Sequence, residues 1–358
     1  MNAYNISNRF GRIRQALLLQ KIDCFLLSSG ANVSYACGFH APDSYLIASQ
    51  KGLTIITDFR YAADFRKMAK PPVSVAEING TVFKTIRGIL KKKSLKTVGF
   101  ESRHLAFAEC QALHELSKGK ITWIPLKETI EPLREIKEDE ELVNIRKAVQ
   151  ITLRAYDFIE KKLKAGMREL RVAAELERFI RLAGATSASF DIIVASGPNS
   201  SYPHAQITGR PMKNGEPVII DMGVTVNGYK SDLTRTFFLG RINPVVRKID
   251  TIVLQAQQMA IKAIKPGVLI RDIDGIARNY IKDKGFGKNF GHSLGHGVGL
   301  EVHEAPSING KNGLRLKKGM VFTVEPGIYI AGSYGVRREE MVLVTSNGVE
   351  VLSGISRH

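Results

Sequence analysis

Cysteine is scarce in this 358-residue chain. The three that occur, Cys24, Cys37 and Cys110, are scattered, odd in number and never in a Cys-x-x-Cys pair. That argues against a disulfide framework and against a thiolate zinc site. Long hydrophobic runs are missing too. No stretch approaches the ~20 apolar residues of a membrane span. The early run Ala16–Leu19 is too short for a signal-peptide core. A cytoplasmic protein with no membrane partner is therefore expected. Acidic residues are in deficit, with 52 Lys and Arg against 34 Asp and Glu, a formal net charge of +18. The excess is +10 over residues 1–137 and +8 over the remainder, so it is not a basic tail. No helical basic stripe or recognition module accompanies it, which argues against specific nucleic-acid binding. With 44% apolar and 24% charged residues, the composition is that of a folded globular protein.

The first half alternates helix-like and strand-like segments. Residues 8–20 are amphipathic, Asp23–Leu27 is a short apolar run, and Leu53–Thr57 is β-branched. Helices are expected over 59–69, 80–92 and 104–117, with extended chain at Val73–Ile78 and Thr97–Phe100. Such alternation predicts a small α/β domain over 1–125. A stretch punctuated by Pro125 and Pro132 ends in the charge run Lys137–Glu141 and reads as a linker over 126–138. The run itself reads as the first turn of a long helix through about Leu163, where acids are favourable. A second domain is expected over 139–358.

That second domain contains an internal repeat. Lys164-Ala-Gly166 opens a helical segment ending at Gly184, and Lys265-Pro-Gly267 opens another ending at Gly285. The offset is 101 residues, with Val172/Ile273, Phe179/Tyr280 and Ile180/Ile281 in register. Downstream, the β-rich run Gly215–Gly223 parallels Gly319–Gly327, each ending in a carboxylate, one residue and glycine. Each copy then carries a second acid: Asp232 in the first, Glu339 or Glu340 in the second. Two related α+β halves are expected, their strands meeting in one sheet.

Carboxylates and histidines concentrate in this repeat. Asn227-Gly228 is a strong two-residue turn signal. It sets Asp221 opposite Thr234 and puts Asp232 two places away on the same face. Side-by-side acids repel unless a cation or proton neutralises them. Glu325 and Glu339 repeat the arrangement, so four acids call for metal. Four of the eight histidines (His204, His292, His296 and His303) fall within 204–303. The run Gly291–Gly299 is too glycine-rich for a helix, so His292 and His296 belong to a strand or loop. The remaining four, His40, His104, His114 and His358, have the default reading of ordinary core or surface residues. Oxygen-rich ligation with one imidazole suits Mn²⁺, Co²⁺, Fe²⁺ or Zn²⁺. Two such ions can activate water and clamp a tetrahedral intermediate, which favours hydrolysis.

At these residues the chain resembles the pita-bread (creatinase/aminopeptidase P) metallopeptidases. The blocks are Asp221–Gly223, Gly228–Thr236, His292–Glu304, Glu325–Gly327 and Gly335–Glu339. Within that family it is most similar to the Xaa-Pro aminopeptidases and Xaa-Pro dipeptidases (prolidases). The first half, including Asn32–Phe39, resembles the creatinase-like N-terminal domain. The resemblance implies an α/β creatinase-like domain followed by an α+β pita-bread domain with an internal pseudo-two-fold repeat.

It also implies two divalent ions, Mn²⁺ foremost with Co²⁺, Zn²⁺ or Fe²⁺ as alternatives. Asp221 would hold one metal, Asp232 and Glu339 would bridge both, and His292 with Glu325 would hold the other. Glu339 is preferred to Glu340 because the family's ligand directly follows the Gly-Val-Arg-x stretch. Arg338 stands where the family commonly has an aliphatic residue. His204 matches a histidine that contacts substrate and the developing tetrahedral centre. His296 and His303 match histidines lining the substrate pocket, while Tyr229 and Arg337 match positions that orient ligands. Glu325 is the expected proton shuttle to the leaving prolyl nitrogen. The implied partner is a peptide with proline at its second position. A dipeptidase must also grip the proline carboxylate, and many such members carry an arginine after His-Glu-x-Pro. Here Ser307 follows Pro306, leaving Arg210 or Arg315 as substitutes and favouring the aminopeptidase. Family members pair as homodimers that bring an N-terminal-domain loop to the partner's active site, which makes His40 a candidate substrate contact.

Overall fold

The computed structural model describes residues 6–354; His358 lies outside the described residues. The chain divides between Arg134 and Glu135 into two compact units.

The first unit runs α1 (Ile6–Gln20), β1 (Cys24–Leu27), α2 (Gly30–Cys37), β2 (Tyr45–Ser49), β3 (Gly52–Thr57) and α3 (Phe59–Met68). It continues with β4 (Val73–Glu77), α4 (Val82–Lys92), β5 (Thr97–Glu101), α5 (Phe107–Ser117), β6 (Thr122–Leu126) and α6 (Glu131–Arg134). The strands form one six-stranded sheet in the order β4-β3-β2-β1-β5-β6. β1 is central and wholly buried, which is why it reads as an unbroken apolar run. Side chains start the helices: Asp58 accepts from Arg60 N for α3, and Thr81 accepts from Lys84 N for α4. At α2, the buried Glu101 carboxylate accepts from Ser29 N (2.7 Å) and Ser28 Oγ (3.0 Å), where a helix N-terminus favours negative charge.

The stretch expected as the linker, 126–138, contains the boundary between the units and short regular elements. Leu126 ends β6, α6 occupies Glu131–Arg134, and Lys137 N donates to Gly319 O in the second unit. The Lys137 side chain is buried against Glu304.

The second unit begins with α7 (Asp139–Glu160), α8 (Glu169–Leu182), β7 (Ser187–Ala188), β8 (Ile193–Ser196) and β9 (Pro217–Met222). β10 (Val224–Val226), β11 (Tyr229–Lys230) and β12 (Leu233–Phe238) complete the first half. The second half has α9 (Pro244–Ala263), α10 (Ile270–Ile281), β13 (Gly295–Gly297), β14 (Glu304–Ile308) and β15 (Val321–Val324). It ends with β16 (Gly327–Ile330), β17 (Tyr334–Arg337), β18 (Glu340–Val344) and β19 (Val349–Val351). The duplication is visible in detail. Gly166 N bonds Met212 O and Gly267 N bonds Leu316 O, both glycines lying at φ 88°. The bridges Arg168↔Pro211 and Leu269↔Arg315 repeat the pattern.

The strands do not merge into one continuous sheet as expected. They split into β11-β10-β7, β12-β9-β8, β14-β13-β15-β18-β19 and β16-β17. The halves meet at a seam where Glu339 N donates to Thr234 O (3.2 Å). The ladders break at Ser231-Asp232, Glu325-Pro326 and Arg338-Glu339, between successive strands. Proline has no N–H to continue a ladder, and the acids at the other breaks turn to a different partner.

Candidate metal centre

Asn227 (φ 51°) and Gly228 (φ 86°) form the expected turn. Asp221 on β9 pairs with Thr234 on β12. Asp232 follows β11, and Glu325 and Glu339 stand at the other two ladder breaks. Asp232 and Glu339 are buried, as is Arg337. Glu340 lies in a separate ion pair with Arg235 (3.0 Å), whereas Glu339 lies near Asp232 and His296.

The histidine among the acids is His296 rather than His292. His296 Nε2 lies 3.3 Å from Glu325 Oε1 and 3.6 Å from Asp232 Oδ2. Donor atoms of Asp232, His296 and Glu339 all fall within 4.8 Å of one another. His292 Nε2 instead lies 3.1 Å from the Tyr329 hydroxyl, and its Nδ1 lies 2.8 Å from Ser293 O. The physical reason is backbone placement. Only Gly295–Gly297 of the glycine-rich run is a strand, wedged between β14 and β15. A Cβ at Gly295 would fall 1.9 Å from Thr323 O, and one at Gly297 2.2 Å from Ala305 O. Glycine on both sides lets this strand come close enough to carry the His296 ring into the cluster.

Arg337 organises the remainder. It donates to Asp221 Oδ2 (2.6 Å), the Tyr329 hydroxyl (2.9 Å), Pro203 O (3.1 Å) and Thr234 Oγ1 (3.0 Å). Thr234 Oγ1 in turn donates to Glu339 Oε2 (2.9 Å), and Thr323 Oγ1 donates to Glu325 Oε1 (3.1 Å). Sequence reasoning did not single out Thr234, Thr323 or Tyr329 as site residues. Thr234 was accessible through the hairpin register, whereas Tyr329 carries no motif signal. Tyr229 donates to Glu141 on α7 (3.1 Å), tying hairpin to helix. His303 lies with its ring centroid 4.2 Å from that of His296. His204 is exposed and close enough to His303 to disfavour its charge. His40 is exposed in the first unit.

The electrostatics follow from burying like charges together. Burial, then the Asp221 charge, raises the Asp232 carboxyl well above its usual range; burial, then Asp232, does the same to Glu339. Burial also raises Asp221, against the pull of Arg337. For His296 burial opposes the charge, but the hydrogen bond and charge of Glu325 together with the charge of Asp232 outweigh it, and the imidazole is pushed up to about 9. Burial lowers both His292 and His303, the latter further through His296. Asp221 Oδ1 is buried and accepts no hydrogen bond among the described residues. An unmet buried acceptor costs about 1–3 kcal/mol. An orphan oxygen beside acids that repel is the environment that a divalent cation neutralises. The residues fit divalent metal.

A duplicated α+β unit whose strands and ladder breaks bring carboxylates and an imidazole together defines a metallohydrolase. The chain belongs to metallopeptidase family M24, whose model matches residues 143–346, and residues 9–136 match the creatinase/prolidase N-terminal domain. It is therefore a hydrolase that depends on divalent metal ions. An Xaa-Pro dipeptidase of Pyrococcus furiosus is 38% identical over 94% of each chain. The structure of an Xaa-Pro dipeptidase from Bacillus anthracis matches with a TM-score of 0.94 and 37% identity over 99% of both chains. An X-Pro aminopeptidase from Thermotoga maritima matches with a TM-score of 0.90 and 34% identity, covering 98% of this chain and 99% of that one. No helix among the described residues is long and apolar enough to cross a membrane.

Proposed function

We propose that the protein is an Xaa-Pro aminopeptidase with two metal ions, releasing the first residue of peptides whose second residue is proline. The observation carrying this is the convergence of Asp232, His296 and Glu339 within 4.8 Å. Asp221 and Glu325 complete the proposed ligand set, and His296 takes the place first expected for His292. Carboxylate-rich ligation with one imidazole suits Mn²⁺. Divalent ions held there supply Lewis acidity and activate water for amide hydrolysis.

The chain's own residues supply the rest. Glu325, oriented by Thr323, is the group placed to carry a proton to the leaving prolyl nitrogen. Burial and the neighbouring His296 lower His303, which favours the neutral ring, and that ring can offer an N–H to the carbonyl oxygen. His204 stands beside it at the exposed rim. The prolyl nitrogen carries no N–H before cleavage, so ring shape and histidine contacts must recognise it.

Length preference turns on the product-side carboxylate. Ser307, opposite His296 in the β13–β14 ladder, offers no positive charge. Arg210 is engaged with Glu216 and Ser196, and Arg315 donates to Gly267 O. This favours peptides longer than two residues. The relatives named Xaa-Pro dipeptidase support the second reading, in which the same site cleaves dipeptides. Comparing kcat/KM for Xaa-Pro and Xaa-Pro-Xaa substrates in Mn²⁺-supplemented buffer decides between them. A tripeptide preference of tenfold or more is expected. A dipeptide preference would establish the second reading, and failure on both substrates by metal-loaded protein would remove both.

A further inference from the structure

In each half of the duplicated unit a polar side chain on the apolar face of the long helix reaches backbone carbonyls beside the site carboxylates. In the first half it is Tyr156 on α7. Its hydroxyl lies 3.1 Å from Ile220 O and 2.5 Å from Leu233 O. In the second half it is Gln257 on α9, whose Nε2 donates to Val324 O and Arg338 O, both at 2.9 Å. The two positions differ by 101 residues, the same offset that relates the helical segments. Both side chains are buried.

The carbonyls they hold are not arbitrary. Ile220 immediately precedes Asp221 and Leu233 immediately follows Asp232, while Val324 and Arg338 immediately precede Glu325 and Glu339. Each helix thus ties together two chain segments at residues adjacent to two site carboxylates. A glutamine amide has two protons for two carbonyls, and a phenol shares its one.

We propose that Tyr156 and Gln257 are paired positioning residues that set the spacing of the four site carboxylates. Neither touches a ligand side chain; each acts through the backbone on either side of it. The inference rests on the metal-dependent reading above. Outer groups of this kind typically tune metal affinity 10–100-fold.

The test titrates Mn²⁺ into metal-free full-length protein by calorimetry and follows thermal unfolding of the same metal-free samples. Tyr156→Phe and Gln257→Leu remove only the tethering groups. Val253→Ala, at a fully buried α9 position, removes apolar packing and serves as the stability control. Tyr156→Phe and Gln257→Leu are each expected to weaken Mn²⁺ binding about 10–100-fold. Val253→Ala is expected to lower the melting temperature with Mn²⁺ affinity within about twofold of wild type, since only packing is lost. Wild-type affinity in either tether variant, or an equal affinity loss in Val253→Ala, would overturn the proposal while leaving the functional reading intact. Absence of Mn²⁺ uptake by the wild type would overturn both.

Discussion

Asp232→Asn and Glu339→Gln each remove one negative charge from a buried cluster without changing its shape. Both are expected to abolish peptidase activity with far-UV circular dichroism unchanged. Metal content should fall from about two ions per chain to one or fewer; full activity in either variant would contradict the assignment. The histidines separate the same way, with His296→Ala losing metal and His292→Ala retaining it by metal analysis. Protons compete for this cage. His296 lies at about 9 against an ordinary 6.5, so between those values the folded state binds protons that the unfolded chain releases. Stability from that source is complete below about 6.5 and lost as pH rises through about 9. The raised Asp232 and Glu339 carboxyls act with the same sign. Metal-free protein should melt at progressively lower temperature from pH 6.5 to 9, and added Mn²⁺ should flatten that slope; calorimetry with and without chelator would show it. The pairing of Asp221 with Thr234 was legible because two-residue alternation and an Asn-Gly turn determine register locally. His292 and His296 were not separable that way. Both sit in one glycine-rich run, and which of them reaches the acids depends on β13 pairing with β15, far away in sequence.

β14 begins at Glu304, next to His303, and its anchor is the Lys137–Glu304 ion pair, with side-chain exposures of 1% and 7%. Lys137→Met would leave a buried carboxylate without this counter-charge, at a cost of about 3–5 kcal/mol. Replacing both partners, as in Lys137→Met with Glu304→Leu, should cost much less. Denaturant titration of the single and double variants checks this; equal losses would mean that the pair is not the cause. The boundary between the two units, between Arg134 and Glu135, falls inside the 126–138 stretch. Prolines and charges mark the connector in the sequence; its pairing is not legible there, since Ile136 bridges to Met320 and Lys137 finds a buried partner 167 residues away. In the first unit, the strands at Cys24–Leu27 and Gly52–Thr57 were visible as apolar or β-branched runs. α2 was not visible as a helix. Residues Asn32–Cys37 are all buried, so it has no polar face to set an amphipathic period.

The net charge of +18 belongs to the molecule as a whole. It should support at most weak, sequence-independent nucleic-acid binding that vanishes by physiological salt, as filter binding would show. Assembly is a sharper question, because a loop in the first unit has chemistry suited to a peptide. After α2 the chain passes Gly38 at φ 80° and exposes His40. The acid nearby, Asp43, is already engaged, lying 3.6 Å from Arg60 and accepting from the Tyr61 hydroxyl at 3.2 Å. That leaves the imidazole as the group in this loop to test against substrate. If two copies pair so that this loop reaches the partner's site, the protein is a homodimer at assay concentration. His40→Ala should then raise KM several-fold with kcat nearly unchanged, because a group that holds the peptide end equally in ground and transition states contributes binding and not chemistry. Light scattering alongside steady-state kinetics separates the outcomes. A strictly monomeric, fully active enzyme would remove the loop from the site, and a drop in kcat at constant KM would place His40 in the chemistry.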